Sequence, residues 1–187
     1  MRVLLIDFYD SFTFNLAHYL EGLDVQLDVL RYDQIAIDQL SNYQAVVLSP
    51  GPGLPSQKHG LSEILTHLIG QKPILGVCLG MQALAEHLGA SLINQAHVKH
   101  GVQEKISIRT KTGLFKLLAD EINVGLYHSW SVDCPDEWVS AYSSSGVPMA
   151  IELPLKKVYG VQFHPESIMT PFGKEILQNF IKIVQND

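Results

Sequence analysis

Residues 73–82 read PILGVCLGMQ, an apolar run followed at once by a helical pattern, with Cys78 at the junction. Glycines stand two residues before and two residues after this cysteine, which is the spacing of a nucleophile elbow with sulfur in place of the serine oxygen. A sharp strand-to-helix turn strains its central residue, and side chains at Gly76 and Gly80 would collide there. The segment therefore predicts a strand, a tight turn and a helix whose N-terminus favours a thiolate.

Working outward from this unit, the first 90 residues alternate between short apolar runs and helical patterns. The runs are apolar on consecutive residues, which is typical of strands covered on both faces: Val3–Ile6, Val25–Leu30, Ala45–Leu48 and Ile74–Val77. Helical spacing appears in Phe12–Leu20, Leu61–Ile69 and Leu79–Leu88, and Asp10-Ser11 is a candidate cap for the first of these helices. This alternation predicts right-handed crossovers and an open, mostly parallel, doubly wound α/β sheet.

From about residue 91 the rhythm changes to shorter strands with few helices between them, which predicts an antiparallel extension of the sheet. The predicted strands are Ala90–Ile93, Lys105–Ile108, Gly125–Val132, Val139–Ser143, Met149–Leu153 and Val158–Phe163. A last helix is predicted over Phe172–Val184. Because no linker, repeat or low-complexity tract interrupts the chain, we expect a single domain over residues 1–187.

Composition excludes several classes of protein. The 187 residues carry 13 basic and 19 acidic side chains, a net charge of −6, without a Lys/Arg cluster, so nucleic-acid binding is not expected. No apolar run approaches the ~18 residues of a membrane span, and the N-terminal run is too short for a signal peptide. The only cysteines, Cys78 and Cys134, cannot form a disulfide framework, so we expect a cytoplasmic protein.

Free cysteine is among the most buried residue types, so a structural role at a strand end is the alternative for Cys78. The glycine spacing favours the nucleophile. Cys134, in Asp133-Cys-Pro135, has no such context.

His164 is the best candidate for the base, because it follows the predicted strand Val158–Phe163 and precedes Pro165-Glu166. Proline biases the preceding residue to an extended conformation, in which residues i and i+2 point to the same side. Glu166 can therefore orient the imidazole of His164 as the third member of a triad. Cys78 also follows a strand, and open α/β sheets place their sites at that carboxyl edge. A strand-terminal histidine beside a solvated glutamate is the alternative.

The other seven histidines have weaker contexts. Six are expected at the surface, in predicted helices or in polar, loop-like stretches: His18, His67, His87, His59, His97 and His100. His128, within LYHSW at residues 126–130, is ambiguous.

The segment SPGPGLP at residues 49–55 follows the third predicted strand directly. It is not a phosphate-binding loop, because Ser56 stands where a third glycine is needed and no Gly-Lys-Ser/Thr follows. A loop of this composition can present unpaired backbone N–H groups, so we predict an oxyanion hole formed by the N–H groups of Gly53 and Leu79. A purely structural turn is the alternative.

These elements, in this order and spacing, resemble the class I, triad-type glutamine amidotransferases over the whole chain. The matching stretches are Ser49–Pro55, Gly76–Gln82, Tyr127–Trp130 and Gly160–Ser167. Further stretches look like the small subunits of anthranilate synthase and aminodeoxychorismate synthase: Tyr9–Thr13 with Asn15, His100-Gly101, and Glu166–Thr170 with Gly173 and Asn179-Phe180. The resemblance implies a flavodoxin-like domain. The motifs are highly specific for the family, but they distinguish poorly between the two kinds of small subunit.

The resemblance implies a role for each matching residue. Cys78 would be the nucleophile, His164 the general base and acid, and Glu166 its orienting carboxylate. Glutamine contacts would come from Gly51, Pro52, Gly53, Gln82, Ser129 and Trp130. The sequence departs from the family pattern at Phe8, Met81, Val102 and Trp130, where Asn, His, Lys and Leu are usual. No departure removes a triad member, but Met81 could alter glutamine affinity and Val102 partner contacts.

The implied reaction is hydrolysis of L-glutamine through a γ-glutamyl thioester on Cys78, with ammonia passed to a large chorismate-binding synthase subunit. No metal or cofactor is expected in this chain, and any Mg²⁺ would belong to the partner. The implied product is anthranilate, with aminodeoxychorismate as the alternative.

Three other functions fit parts of the pattern. A γ-glutamyl hydrolase would use the same thiol without a partner. A phospho-receiver module would fit a doubly wound domain with early Asp7 and Asp10, but Ser49-Pro50 stands where its acceptor aspartate is needed. A catalytically idle scaffold is disfavoured because all three triad residues are present.

Overall fold

The computed structural model describes all residues 1–187, which form nine strands, four α-helices and five short 3₁₀ segments. The strands are β1 (Arg2–Asp7), β2 (Gln26–Arg31), β3 (Ala45–Leu48), β4 (Ile74–Val77), β5 (Ser91–Ile108), β6 (Glu121–Asp133), β7 (Val139–Ser143), β8 (Pro148–Leu153) and β9 (Val158–Val161). The α-helices are α1 (Thr13–Glu21), α2 (Leu61–Leu68), α3 (Leu79–His87) and α4 (Gly173–Gln185). The 3₁₀ segments are Tyr32–Gln34, Ile37–Asn42, Pro55–Gln57, Asp136–Trp138 and Pro154–Lys156.

All nine strands join one sheet in the order β2-β1-β3-β4-β9-β8-β7-β5-β6. The first five strands in this order pair in parallel, as in flavodoxin-type doubly wound sheets. The other four neighbouring pairs are antiparallel. The predicted fold class is therefore confirmed, although the antiparallel extension contributes as many strand pairs as the parallel part. No helix is long and apolar enough to cross a membrane.

Alternate residues of the central strands enter two different cores. One core of 26 buried side chains joins Leu5 and Val47 to residues of α1 and α4. The other, of 16 buried side chains, joins Leu4 and Leu48 to residues of α2 and α3. Because both faces of the sheet are covered, the strands must be apolar at consecutive positions, and each buried Leu or Val contributes roughly 1.5–3 kcal/mol.

Strand β5 corrects one prediction. The sequence predicted two strands, Ala90–Ile93 and Lys105–Ile108, with His97 and His100 in a loop between them. The structure has one continuous strand that pairs with β6 along its length, apart from two register shifts. Most side chains of the middle section are exposed, so β5 lacks the apolar–polar alternation that identifies a half-buried strand.

The antiparallel extension encloses a carboxylate that has few partners. Glu152 of β8 is buried, its Oε2 accepts a hydrogen bond from the Leu114 N–H at 3.2 Å, and its Oε1 has no partner. Burial raises the pKa of Glu152 to about 7, and the bond from Leu114 offsets this only in part. The folded protein therefore holds the neutral acid at this position below about pH 7.

Glu152→Gln should flatten the dependence of stability on pH. The pKa of Glu152 is about 7 in the folded protein against 4.5 ordinarily, so its contribution is full below pH 4.5 and is lost as pH rises through about 7. The loss is at most about 3 kcal/mol, and the variant should recover part of it at high pH. Urea unfolding between about pH 5 and pH 8 measures it. Glu21→Gln, exposed at the end of α1, is the control; equal slopes for wild type and Glu152→Gln would contradict the assignment.

Candidate active site

Cys78 occupies the turn between β4 and α3 in a conformation that residues other than glycine rarely adopt, with φ 51° and ψ −104°. Its N–H donates to the Val161 carbonyl of β9 at 2.8 Å, and its carbonyl accepts from the Gln82 N–H at 3.0 Å. Strain of this kind costs about 1–3 kcal/mol and persists only where the surroundings enforce it. Here a neighbouring strand and the first turn of α3 do so, and the local structure is the predicted elbow.

Gly76 and Gly80 let α3 lie directly against the sheet. A Cβ on Gly76 would come within 2.4 Å of the Gly80 backbone, and a Cβ on Gly80 within 2.6 Å of the Leu48 Cβ and carbonyl oxygen. The obstructing atoms are backbone atoms or a strand Cβ, which cannot yield as a flexible side chain can. Both glycines therefore have the packing reason that the sequence predicts.

His164 and Glu166 reach this turn from β9, which pairs with β4. The His164 Nδ1 lies 2.7 Å from the Glu166 Oε1, and both side chains are almost fully buried. The other ring nitrogen, Nε2, has no hydrogen-bond partner. Burial disfavours a charged imidazole, but the Cys78 sulfur and the Glu166 carboxylate outweigh burial and raise the pKa of His164. The arrangement therefore favours an imidazolium beside the sulfur.

Several neighbours that the sequence analysis left without a role fix the His164 ring. The ring centroids of Tyr127 and Phe12 lie 4.9 Å and 5.5 Å away, both edge-on. The His164 N–H donates to the Gly125 carbonyl at 3.0 Å, and its carbonyl accepts from the Thr170 hydroxyl at 2.6 Å. These contacts hold both backbone and ring in a single orientation.

The predicted glutamine contacts lie together around a cavity of about 200 Å³ beside Cys78. Its lining contains all six predicted contacts, Gly51, Pro52, Gly53, Gln82, Ser129 and Trp130. It also contains Leu79 and two residues without a predicted role, Tyr127 and His128. A larger hollow of about 570 Å³ beside α2 contains no cysteine, so size alone does not identify the site. The function of the six residues beside Cys78 as glutamine contacts stays a prediction.

The two predicted oxyanion donors border the same cavity. Leu79 is the first residue of α3, so its N–H has no acceptor within the helix. Gly53 has a φ of 77°, in the loop after β3, a conformation that glycine adopts without strain. The structure brings both residues to Cys78, and their role toward an oxyanion stays a prediction.

His128, ambiguous in sequence, is buried in the cavity wall. Burial lowers its pKa, the hydrogen bond to the Trp130 carbonyl opposes this, and the nearby His164 adds to the lowering. The Nδ1 lies 2.9 Å from the Trp130 carbonyl oxygen, so it carries the proton of a neutral ring. His128 therefore adds no positive charge to the site.

Gln162 is the main residue that sequence reasoning missed. It is fully buried, and its Nε2 donates to the Cys78 Sγ at 3.5 Å. The i, i+2 rule of extended chain does not apply here, because β9 ends at Val161, residues 162–163 form a bend and residues 165–166 lie in a turn. In that turn the Ser167 N–H donates to the His164 carbonyl at 3.2 Å. His164 and Glu166 are thus in contact through a turn rather than through the expected extended chain, and no sequence signal pointed to Gln162.

The early acidic residues serve the local backbone. The Asp7 Oδ1 accepts from the Tyr9 N–H and the Thr13 hydroxyl, both at 2.8 Å. Asp10 accepts from the Phe12 N–H at 2.8 Å, so it stabilises the turn before α1 rather than capping the helix itself. No group of three or more His, Cys, Asp or Glu side chains could hold a metal ion.

The family model described as "Glutamine amidotransferase class-I" matches residues 4–184. The chain belongs to this family. It is 42% identical to "Anthranilate synthase component 2" of Cyanophora paradoxa, over 96% of this chain and 97% of the relative. It is 39% identical to "Aminodeoxychorismate/anthranilate synthase component 2" of Bacillus subtilis, over 99% and 98%. A Thermoplasma acidophilum crystal structure, described as one of the GMP synthase subunits, superposes with a TM-score of 0.90 at 26% identity, covering 100% of this chain and 94% of that one.

The four departures from the amidotransferase pattern lie in different surroundings. Met81 is fully buried against Ala85, Val132 and Ile151, away from the cavity lining, so the expected effect on glutamine affinity would have to be indirect. Trp130 lines the cavity. Phe8 is buried under the loop after β3, where it lies against Gly51. Val102 is exposed on β5.

Gly80→Ala should destabilise the amidotransferase and slow alkylation of Cys78 by iodoacetamide. Overpacking costs about 1–3 kcal/mol, and the rigid neighbours of Gly80 favour the upper part of that range. Gly22→Ala is the control, since φ is −71° there and the nearest atom to a new Cβ is 3.5 Å away. Thermal unfolding and peptide mapping measure both effects. Similar losses in the two variants would mean that the packing around Gly80 is not decisive.

Glu166→Gln should slow glutamine hydrolysis less than His164→Ala. The variant keeps an acceptor for Nδ1 but removes the charge that helps raise the pKa of His164, so the alkaline limb of the pH–rate profile should move to lower pH. Removing an orienting carboxylate can cost about 10⁴ in kcat where the base must deprotonate a neutral nucleophile. A thiolate needs less help, so a smaller loss is expected here.

Glutamate release, measured across pH, gives this ranking, with Glu175→Gln on the exposed side of α4 as the control. A folded Glu166→Gln protein as inactive as His164→Ala would show that the carboxylate does more than orient and support the ring.

Proposed function

We propose that this amidotransferase hydrolyses L-glutamine and supplies the ammonia to a separate, larger synthase subunit that binds chorismate and makes anthranilate. The observation that carries the proposal is the buried Cys78–His164–Glu166 arrangement beside a cavity whose lining includes Gly51, Gly53 and the start of α3. The full-length similarity to relatives named as component 2 of such synthases supports the division of labour between two chains.

In the first half-reaction, the Cys78 thiolate attacks the side-chain amide carbon of glutamine. The carbonyl oxygen becomes an oxyanion, which accepts hydrogen bonds from the N–H groups of Gly53 and Leu79. The imidazolium of His164 gives its Nε2 proton to the leaving nitrogen as the carbon–nitrogen bond breaks. Ammonia leaves, and a γ-glutamyl thioester remains on the sulfur.

In the second half-reaction, the neutral His164 takes a proton from water, whose oxygen attacks the thioester carbon. The tetrahedral intermediate expels the Cys78 thiolate and releases glutamate, which restores the starting ion pair. Glu166 stays ionised throughout and stabilises the imidazolium. Two moderate barriers replace one high barrier for amide hydrolysis.

Ammonia in water at neutral pH is mostly ammonium, which is not a nucleophile, so it must reach its acceptor before it equilibrates with solvent. The chorismate site, together with any Mg²⁺, would belong to the partner subunit. This chain would work without a cofactor of its own, in the cytoplasm.

The second candidate is the same role in aminodeoxychorismate synthase, which the Bacillus subtilis relative's double name favours. A stand-alone γ-glutamyl hydrolase is less well supported, because it would need no partner. The phospho-receiver alternative has lost its main argument, since Asp7 and Asp10 serve turns of the backbone.

Cys78→Ala should abolish glutamine-dependent synthesis by the two-subunit complex, by at least about 10³-fold, because no thioester can form. Synthesis from added ammonium salt at high pH should stay within about twofold of wild type, since the acceptor site is elsewhere. Product fluorescence or chromatography gives both rates and also identifies the chorismate product. Cys134→Ala is the control and should keep both activities. Loss of both activities in Cys78→Ala would mean that the thiol serves the fold or the interface.

A further inference from the structure

A backbone carbonyl and two buried side-chain amides connect the wall of the cavity to the Cys78 sulfur. The Gln82 Nε2 donates to the Trp130 carbonyl at 3.0 Å and to the Gln162 Oε1 at 3.1 Å. The Gln162 Nε2 then donates to the Cys78 Sγ at 3.5 Å. Gln162 is 0% exposed and Gln82 is 4% exposed, so water does not compete for the bonds from Gln82 to Gln162 and from Gln162 to the sulfur.

The direction of this chain of hydrogen bonds is fixed at one end. A backbone carbonyl can only accept, so the NH₂ group of Gln82 must face Trp130. The second hydrogen of that group then requires an acceptor, which is the oxygen of Gln162. The amide of Gln162 consequently turns its own NH₂ group to the sulfur. Both amide orientations thus follow from a backbone atom of β6.

The side chain of Gln162 is an uncharged donor to the sulfur, and the charged and titratable groups nearby are of three kinds. His164 and Glu166 face it from the segment after β9, and neutral His128 comes from β6. Lys99 and Glu104 of β5, near His128, pair with each other at 3.1 Å. No lysine or arginine ion pair involves a residue of the triad.

We propose that Gln162 is a positioning residue that stabilises the Cys78 thiolate and holds the sulfur toward the cavity, and that Gln82 and the Trp130 carbonyl set its orientation. The inference rests on the proposed function in taking Cys78 as the nucleophile. A thiolate accepts a hydrogen bond much better than a thioester sulfur does. The donor therefore acts when the thiolate exists: before attack on glutamine and when the sulfur leaves in the second half-reaction.

The test is the pH profile of Cys78 alkylation by iodoacetamide, which needs neither glutamine nor a partner. Gln162→Met keeps the approximate shape and removes the donor, so the profile should move up by about one pH unit, with a rate about tenfold lower on its acid side. Gln82→Met should move it in the same direction by less, although residue 82 does not touch the sulfur. Gln95→Met, which removes a side-chain bond to Ser131, is the control and should leave the profile unchanged.

Cys134 reports on each protein from within. Burial and the nearby Asp133, Asp136 and Glu137 raise its pKa to about 11, so its alkylation should stay slow and equal in all variants. Mass spectrometry of the two cysteine peptides separates the rates. An unchanged Cys78 profile in a Gln162→Met protein with wild-type Cys134 reactivity would overturn the proposal. So would equal shifts for Gln162→Met and Gln95→Met.

If Gln162→Met does not fold, wild-type protein labelled with ¹⁵N in glutamine side chains decides instead. The NH₂ signals of a solvent-protected glutamine should shift when Cys78 is alkylated, and no shift in any protected pair would refute the contact. The proposed function has a separate test, and it fails if Cys78→Ala keeps glutamine-dependent synthesis. Loss of that synthesis in Cys78→Ala, together with an unchanged alkylation profile in Gln162→Met, would reject the role of Gln162 alone.

Discussion

The close approach of α3 to the sheet is the constraint on which the site depends. Without side chains at Gly76 and Gly80, only Cys78 separates the end of β4 from the start of α3, and it is forced to a positive φ. The Val161 carbonyl binds the N–H of this strained residue and so ties the turn to β9. Because β9 leads directly to His164, the same packing that strains the cysteine also brings its partner to it.

Two buried glutamates differ in the partners of their carboxyl groups. Glu166 lies against the Nδ1 of His164, and the two together with the sulfur sustain a buried charge pair. Glu152 has one backbone N–H and no cation, and its pKa rises to about 7. Glu152 therefore shows what burial does to the pKa of a carboxyl group that no cation approaches. Glu166 has its imidazole partner because the chain turns after His164, with the Ser167 N–H donating to the His164 carbonyl at 3.2 Å.

Sequence patterns predicted the parts of this molecule that obey strong local rules. Consecutive apolar residues revealed the parallel strands because helices cover both faces, and glycine spacing revealed the elbow because backbone atoms fill the space. The middle of β5 escaped prediction because exposure on both sides leaves no periodic signal. The contacts of the Phe12 and Tyr127 rings with His164 escaped because they join segments 152 and 37 residues apart in sequence, and edge-on aromatic packing has no sequence signature.

The Trp130 carbonyl shows how the antiparallel extension bears on the Cys78 sulfur. It accepts from the Gln82 side chain and from the His128 Nδ1, so one atom fixes an amide orientation and an imidazole tautomer. Residue 130 pairs with Asn94 at the place where the β5–β6 register shifts. A change of register there would remove the acceptor that orders both side chains. The donor to the sulfur thus depends on strand pairing outside the β4–α3 turn, in the part of the sheet that the sequence predicted least well.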